Sequence, residues 1–110
     1  MKATEVVVEY MKDNKITYRD LAKRMGTSAM NVWYILNRRK EDDKESDPKL
    51  GTLMNLCTVL DIPIRIVRDH SRESTTVDVG LEQFQDLPVS AVSKLLNLSG
   101  RAIEINSRII

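Results

Sequence analysis

Cysteine is nearly absent from this chain of 110 residues, since Cys57 is the only one. A single cysteine excludes an internal disulfide framework. Long apolar runs are also missing, and none approaches the roughly 18–20 residues that cross a bilayer. The opening residues, MKATEVVVEY, carry acidic side chains where a secretory signal needs an uninterrupted apolar stretch. We therefore expect a cytoplasmic protein with no membrane segment.

Residue patterns for catalysis and for metal binding are equally scarce. The single histidine, His70, lies in a predicted turn, and no glycine-rich phosphate loop, nucleophile elbow or cluster of metal ligands occurs. Cys57 has no second cysteine or nearby histidine, so it is predicted to be a small buried hydrophobic residue. The sequence predicts a protein that is not an enzyme and that uses no metal or cofactor.

Charge is distributed unevenly, although the net charge is only +1. Residues 1–40 contain nine Lys or Arg and four Asp or Glu, whereas residues 41–50 contain two basic and five acidic residues. A basic segment favours a polyanionic partner, with a solvated basic helix face as the alternative. The hydrophobic fraction of 42% is sufficient for a core, so the length predicts one domain, with or without an appendage.

Three short helices are predicted in the basic segment. Residues 3–13 have apolar side chains at helical spacing, and Thr17 is suited to cap a second helix, YRDLAKRM. Gly26 suits the left-handed turn after that helix, and Ser28 suits the N-cap of a third, AMNVWYILN. So short a connection makes the second and third helices cross steeply, as in a helix-turn-helix.

Trp33 and Tyr34 are adjacent in the third helix, so their rings point about 100° apart and cannot enter one core. Val32 and Ile35 are predicted to form the buried side of that helix. The aromatic pair is therefore predicted at the exposed face, where Tyr34 is the stronger candidate for contact with a partner. Trp33 has an alternative, which is packing over a neighbouring helix or against a second copy.

The middle of the chain is predicted to be a charged loop followed by a helix. Residues 38–49 are basic first and acidic after, and we expect the acids to point outward, away from any bound polyanion. Contact with a basic protein, or mimicry of DNA, is the alternative for these acids. Pro48 is predicted to start a fourth helix whose core positions are Leu53, Leu56, Cys57 and Leu60.

The last part of the chain leaves alternatives open. Residues 62–69 fit either a strand that pairs with residues 75–79 or a short helix that begins at Pro63. Residues 81–99 are predicted to be helical, with Gly100 as the stop. Residues after Gly100 alternate in polarity, which indicates a terminal strand.

The run TYRDLAKRMGTSAMNVWYILN, followed by DPKLGTLMNLCTVLDIPIRIV, resembles the Cro and lambda-repressor-like helix-turn-helix family, also called the XRE type. The resemblance covers roughly residues 3–67. It implies a mainly α fold, with a lambda-repressor-like five-helix domain over residues 1–69 and a short β/α extension over residues 70–110. Met11 and Leu36 occupy positions where many relatives have an ion pair, so apolar packing is expected to replace it.

In that family the third helix lies in the major groove of double-stranded DNA. The resemblance implies base contacts from Ala29, Met30 and Tyr34, with Asn31 and Trp33 beside them. This set is apolar where relatives often use Gln, Arg or Asn, so specificity is expected to depend on methyl contacts and shape. The resemblance implies phosphate contacts from Tyr18 and Asn37. The basic cluster that follows is expected to bind phosphate too, with a solvated loop start as the alternative: Arg38, Arg39 and Lys40. Thr17 and Ser28 are further candidates for DNA binding.

The resemblance implies a sequence-specific transcriptional regulator, a phage or mobile-element repressor that binds its operator as a homodimer. One recognition helix contacts few base pairs, so residues 70–110 are the natural dimerisation element, with packing onto their own domain as the alternative. The other interpretation is a protein-binding inhibitor or antitoxin, including the anti-CRISPR type, with Met30 and Trp33 as anchors for a second protein partner. The dimerisation candidates are Phe84, Val92, Leu95, Leu96, Ile103 and Ile105.

Overall fold

The computed structural model describes residues 2–68 and 80–110. These residues form mainly helices with one small sheet, which confirms the predicted fold class. In chain order the elements are α1 (Ala3–Asp13), α2 (Tyr18–Met25), α3 (Ala29–Asn37), α4 (Leu50–Leu60), β1 (Ile64–Arg68), a 3-10 turn (Leu81–Phe84), α5 (Val89–Leu98), β2 (Arg101–Ile105) and β3 (Arg108–Ile109).

Capping residues determine where α2 and α3 begin and end. Thr17 Oγ1 accepts a hydrogen bond from the Asp20 amide at 3.1 Å, and Asp20 Oδ2 accepts one from the Thr17 amide at 3.2 Å. Gly26 ends α2 with a φ of +71°, and its Cβ position is open, so backbone conformation rather than space requires glycine there. Ser28 Oγ accepts from the Asn31 amide at 3.1 Å and starts α3. The predicted helix boundaries are therefore confirmed.

One hydrophobic core joins all five helices and β2. Met11 of α1 and Leu36 of α3 are both buried in it, as expected for apolar residues that replace an ion pair. Burial raises the pKa of the Cys57 thiol to about 12, which fits its predicted role as a buried hydrophobic residue. The core positions predicted for α4 are all buried: Leu53, Leu56, Cys57 and Leu60.

One helix in the second half was predicted wrongly. Helix α4 follows Pro48 as expected and begins at Leu50, and the Pro48 carbonyl accepts a hydrogen bond from the Val89 amide at 3.0 Å. The helix predicted over residues 81–99 is interrupted between the 3-10 turn and α5. The interruption lets the carbonyls of Gln85 and Leu87 accept from the first two amides of α4, each at 2.8 Å, and helix termini need such partners.

Residues 64–68 form a strand, which decides between the two alternatives for this segment. Strand β1 pairs antiparallel with β2, with Ile64 opposite Ile105, and β2 pairs with β3. Residues 75–79, the predicted partner, lie outside the described residues. In β2, the central strand, Arg101 and Ala102 are buried together with Ile105. The sheet thus connects residues from both predicted parts of the chain, 1–69 and 70–110.

Candidate nucleic-acid interface

The exposed face of α3 is apolar and aromatic. Met30 is 67% exposed and Trp33 is 37% exposed, while Tyr34 is half-buried. The Trp33 and Tyr34 rings meet edge to face, with their centroids 5.3 Å apart and their planes at 78°. Such an arrangement is favourable for aromatic pairs, so the two rings form one ridge along the helix.

The buried side of α3 differs slightly from the prediction. Val32 is fully buried as expected, but Leu36 is its buried partner, while Ile35 is half-buried at the edge of the core. The spacing of four places Val32 and Leu36 on one side of the helix, whereas Ile35 is rotated away from it. Ala29, predicted to face bases, is half-buried against the core and offers less surface than Met30.

Asn37 connects the end of α3 to the start of α2. Its Nδ2 atom donates to the Tyr18 hydroxyl at 3.3 Å and to the Trp33 carbonyl at 3.0 Å. Tyr18 packs against the core through its ring. The structure therefore brings together two residues that the sequence proposed separately as phosphate contacts, and it holds them beside the aromatic ridge.

The turn between α2 and α3 carries a second polar link. Asn31 Nδ2 donates to Thr27 Oγ1 at 3.0 Å, and Ser28 caps the helix between them. The sequence did not lead us to Thr27, although a Thr four residues before an Asn at the start of a helix indicates such a side-chain hydrogen bond. Both side chains are exposed at the N-terminal end of α3.

The loop after α3 folds back on itself and pairs its own charges. Arg38 Nη1 lies 3.1 Å from Asp43 Oδ1, and the Arg39 guanidinium contacts the Asp42 carboxylate through two nitrogens, Nε at 3.2 Å and Nη2. The Asp43 amide donates to the Arg39 carbonyl at 3.1 Å. Lys40 is exposed and makes no ion pair with any residue that the structure describes.

This pairing was missed by the sequence reasoning, which expected the acids to point outward. Asp43 adopts a φ of +53°, a left-handed conformation that Asp tolerates better than most residues, and this closes the turn. The three-residue spacing of Arg39 and Asp42 could have indicated their ion pair from the sequence. Two of the three loop cations proposed to bind phosphate are therefore already neutralised within the loop.

Most of the proposed dimerisation residues pack inside the chain. Phe84 is half-buried against the core, and Leu95 is 48% exposed. Leu98, one turn further along α5, is 81% exposed and was not among the candidates. Helix α5 packs its other side on β2, which explains why the remaining four candidates are core residues: Val92, Leu96, Ile103 and Ile105.

The part of the chain that the structure describes lacks clustered metal ligands and membrane-spanning helices. It holds no group of three or more His, Cys, Asp or Glu side chains placed to bind a metal ion. Among the helices given above, none has the length and apolar character needed to cross a bilayer.

Comparison with known proteins identifies the family of this chain. A family model described as the Cro/C1-type helix-turn-helix DNA-binding domain matches residues 8–65, more than half of the chain. No curated protein and no solved structure matches the chain significantly. The matched residues include the capped α2 and α3, the Tyr18–Asn37 link and the whole charged loop. The chain therefore belongs to the family of Cro/C1-type helix-turn-helix DNA-binding proteins.

Proposed function

We propose that this protein is a sequence-specific transcriptional repressor, encoded by a phage or mobile element, that binds an operator as a homodimer. In this proposal it acts by binding alone, without catalysis, in the cytoplasm. The observation that supports it most directly is the position of Met30 and Tyr34 on the exposed face of α3, beside the Tyr18–Asn37 link. Helices in this position of the fold enter the major groove.

The proposed base readout is apolar. Met30 is the most exposed side chain of the base-facing set, and an apolar side chain in the major groove contacts the thymine methyl group. Burying one methyl-sized group stabilises a complex by about 0.8 kcal/mol, or roughly fourfold in affinity. The Tyr34 hydroxyl adds one donor or acceptor for a base edge. We therefore expect an operator rich in A·T pairs at the contacted positions.

The proposed dimer uses the exposed side of α5. Leu95 and Leu98 lie three residues apart, so they share one face of the helix, and both are exposed. Operator binding as a dimer requires that this two-fold pairing present the two copies of α3 to half-sites about one helical turn apart. Leu95→Glu with Leu98→Glu should give a monomer in sedimentation, whereas Arg19→Glu on α2, an exposed position where the charge changes by the same amount, should not change the mass.

Selection of bound duplexes from a random pool, at near-physiological salt and with the full chain, tests the proposed function. Enrichment of a pseudo-palindrome with half-sites about 10 bp apart would support a dimeric operator-binding regulator. Met30→Ala should enrich a different sequence at the contacted positions. Absence of any enriched sequence, with binding lost as salt rises, would contradict the proposal.

A second candidate function is a protein-binding inhibitor or antitoxin, including the anti-CRISPR type. Two observations favour it: Arg38 and Arg39 are already paired with acids, and Met30 and Trp33 expose apolar surface suited to a protein partner. Co-expression with the product of the adjacent gene, followed by mass measurement of the purified complex, tests it. A stable complex that Trp33→Ala dissociates would favour this candidate over the repressor.

A further inference from the structure

One cleft is lined by no residue of α2 or α3 and has no role in the proposed DNA contacts. It has a volume of about 390 Å³ and lies between the start of α1, residues 45–48 and the start of α5. Ligand pockets begin at roughly 300 Å³, so this cleft is large enough for a small molecule. Its walls are mainly apolar, formed by Ala3, Pro48, Val89 and Ile110.

Two polar residues of the cleft, Thr4 and Lys94, carry hydrogen-bond donors that have no partner among the described residues. Thr4 is only 6% exposed, it lines the cleft, and its hydroxyl makes no hydrogen bond within residues 2–68 and 80–110. Thr4 is also in the first turn of α1, where backbone amides have no partner inside the helix. Lys94 lines the same cleft and makes no ion pair with a described residue.

The two acids at the rim of the cleft accept from groups other than Thr4 and Lys94. Glu45 pairs with Lys2, and the Asp47 carboxylate accepts from the Ser90 amide at 3.1 Å and from the Ser90 hydroxyl. The start of α5 is therefore capped by a carboxylate from within the chain. At the start of α1, Glu5 Oε2 accepts from the Lys2 amide at 3.3 Å. The next amides of α1, with the Thr4 hydroxyl beside them, have no such acceptor among the described residues.

We propose that the cleft binds a small carboxylate that has a short apolar tail. Its carboxylate accepts hydrogen bonds from the Thr4 hydroxyl and the first amides of α1, where the helix dipole favours negative charge. Lys94 supplies a positive charge to the same group. The tail lies against Ala3, Val89 and Ile110. A buried hydroxyl without a partner is unfavourable, and the ligand removes that cost.

Titration of the full ¹⁵N-labelled chain with hexanoate, followed by NMR, tests this site. We expect saturable shifts of the Thr4, Val89 and Ser93 amides, with a Kd on the order of 1 mM for a ligand of eight non-hydrogen atoms. Hexan-1-ol has the same chain without the charge and should bind at least about threefold more weakly. Equal binding of the alcohol, or shifts that do not saturate, would overturn the proposal.

Two variants locate the binding to the named donors. Lys94→Gln should weaken hexanoate about threefold to fivefold, and Thr4→Val, which keeps the side-chain shape, should weaken it by a similar factor or more. Lys23→Gln removes a lysine on α2, outside the cleft, and should leave the affinity unchanged. Because Lys94 is exposed, its variant should fold normally, and unchanged affinity in that variant would overturn the proposal.

Discussion

Removing the two carboxylates that pair with the loop arginines should strengthen DNA binding. Asp42→Asn with Asp43→Asn keeps the shape of both side chains and their oxygen acceptors. Asp42 Oδ1 accepts from the Lys44 amide at 3.2 Å, and asparagine retains that acceptor. Asparagine also tolerates the left-handed backbone of residue 43. The loop should therefore keep its fold while Arg38 and Arg39 lose their charge partners.

The size of the expected gain in DNA affinity follows from how exposed the two ion pairs are. The arginine side chains are 51% and 49% exposed, so solvent screens each pair, and such pairs contribute about 0.2–1 kcal/mol. Two pairs that must open before phosphate is bound then cost about 0.4–2 kcal/mol, which is roughly 2-fold to 30-fold in affinity. If the wild-type arginines contact no phosphate, the variant gains up to two phosphate contacts. The slope of log affinity against log salt concentration should then steepen by up to about 1.8.

Fluorescence anisotropy with a labelled duplex, over a series of salt concentrations, measures both the DNA affinity and its salt dependence. Asp13→Asn with Asp61→Asn removes the same charge at exposed positions outside the loop and controls for net charge. A gain equal to that of this control would refute the reasoning. In a background of Arg38→Ala with Arg39→Ala, the asparagine pair should give no gain, because the cations that it releases are absent.

Three further predictions concern the reading face, the capping box and the buried thiol. Met30→Ala should change the preferred DNA sequence in a selection experiment, and a loss of affinity without any change would argue against base readout. Hydrogen bonds to the Asp20 carboxylate, chiefly from the Thr17 side chain and secondly from the Thr17 amide, lower its pKa below 3.8. The capping box should therefore stabilise the fold at pH values above 3.8. This stability should be lost as pH falls through the lowered pKa, and Asp20→Asn should flatten the pH dependence of urea unfolding. Because burial raises the pKa of Cys57 from 9.0 to about 12, iodoacetamide at pH of about 8 should modify the thiol only in urea; stability should fall as pH rises above 9.0.

The helix-turn-helix could be predicted from sequence because the signals that define it are local. Thr17 and Asp20 form their capping box within one turn, Gly26 adopts its own left-handed conformation, and Ser28 caps α3 through an amide three residues away. None of these features needs a partner from elsewhere in the chain. The exposed aromatic pair follows from helix geometry in the same way.

Features that depend on distant partners could not be predicted. The break before α5 exists because the carbonyls of Gln85 and Leu87 hydrogen-bond the start of α4, more than 30 residues earlier in the chain. The alternation of residues 101–106 suggested one polar face, but β2 is the central strand and buries both Arg101 and Ala102. A sequence pattern describes one strand, whereas the elements that pack on the sheet, such as α5 on β2, decide which faces of the strand are covered.

The paired loop has a consequence for specificity in the proposed function. Binding to random DNA depends almost entirely on phosphate contacts, whereas operator binding also includes base contacts. Neutralising Arg38 and Arg39 removes affinity that every sequence shares, and it leaves the methyl contacts of Met30 unchanged. A recognition helix without amide or guanidinium readout therefore takes its specificity from methyl contacts and DNA shape, whereas the shared phosphate contacts set how tightly the protein is held on any duplex. The Asp42→Asn, Asp43→Asn variant should gain affinity for random duplex and for the selected operator by the same factor, and a larger gain for one of the two would mean that the loop contributes to specificity.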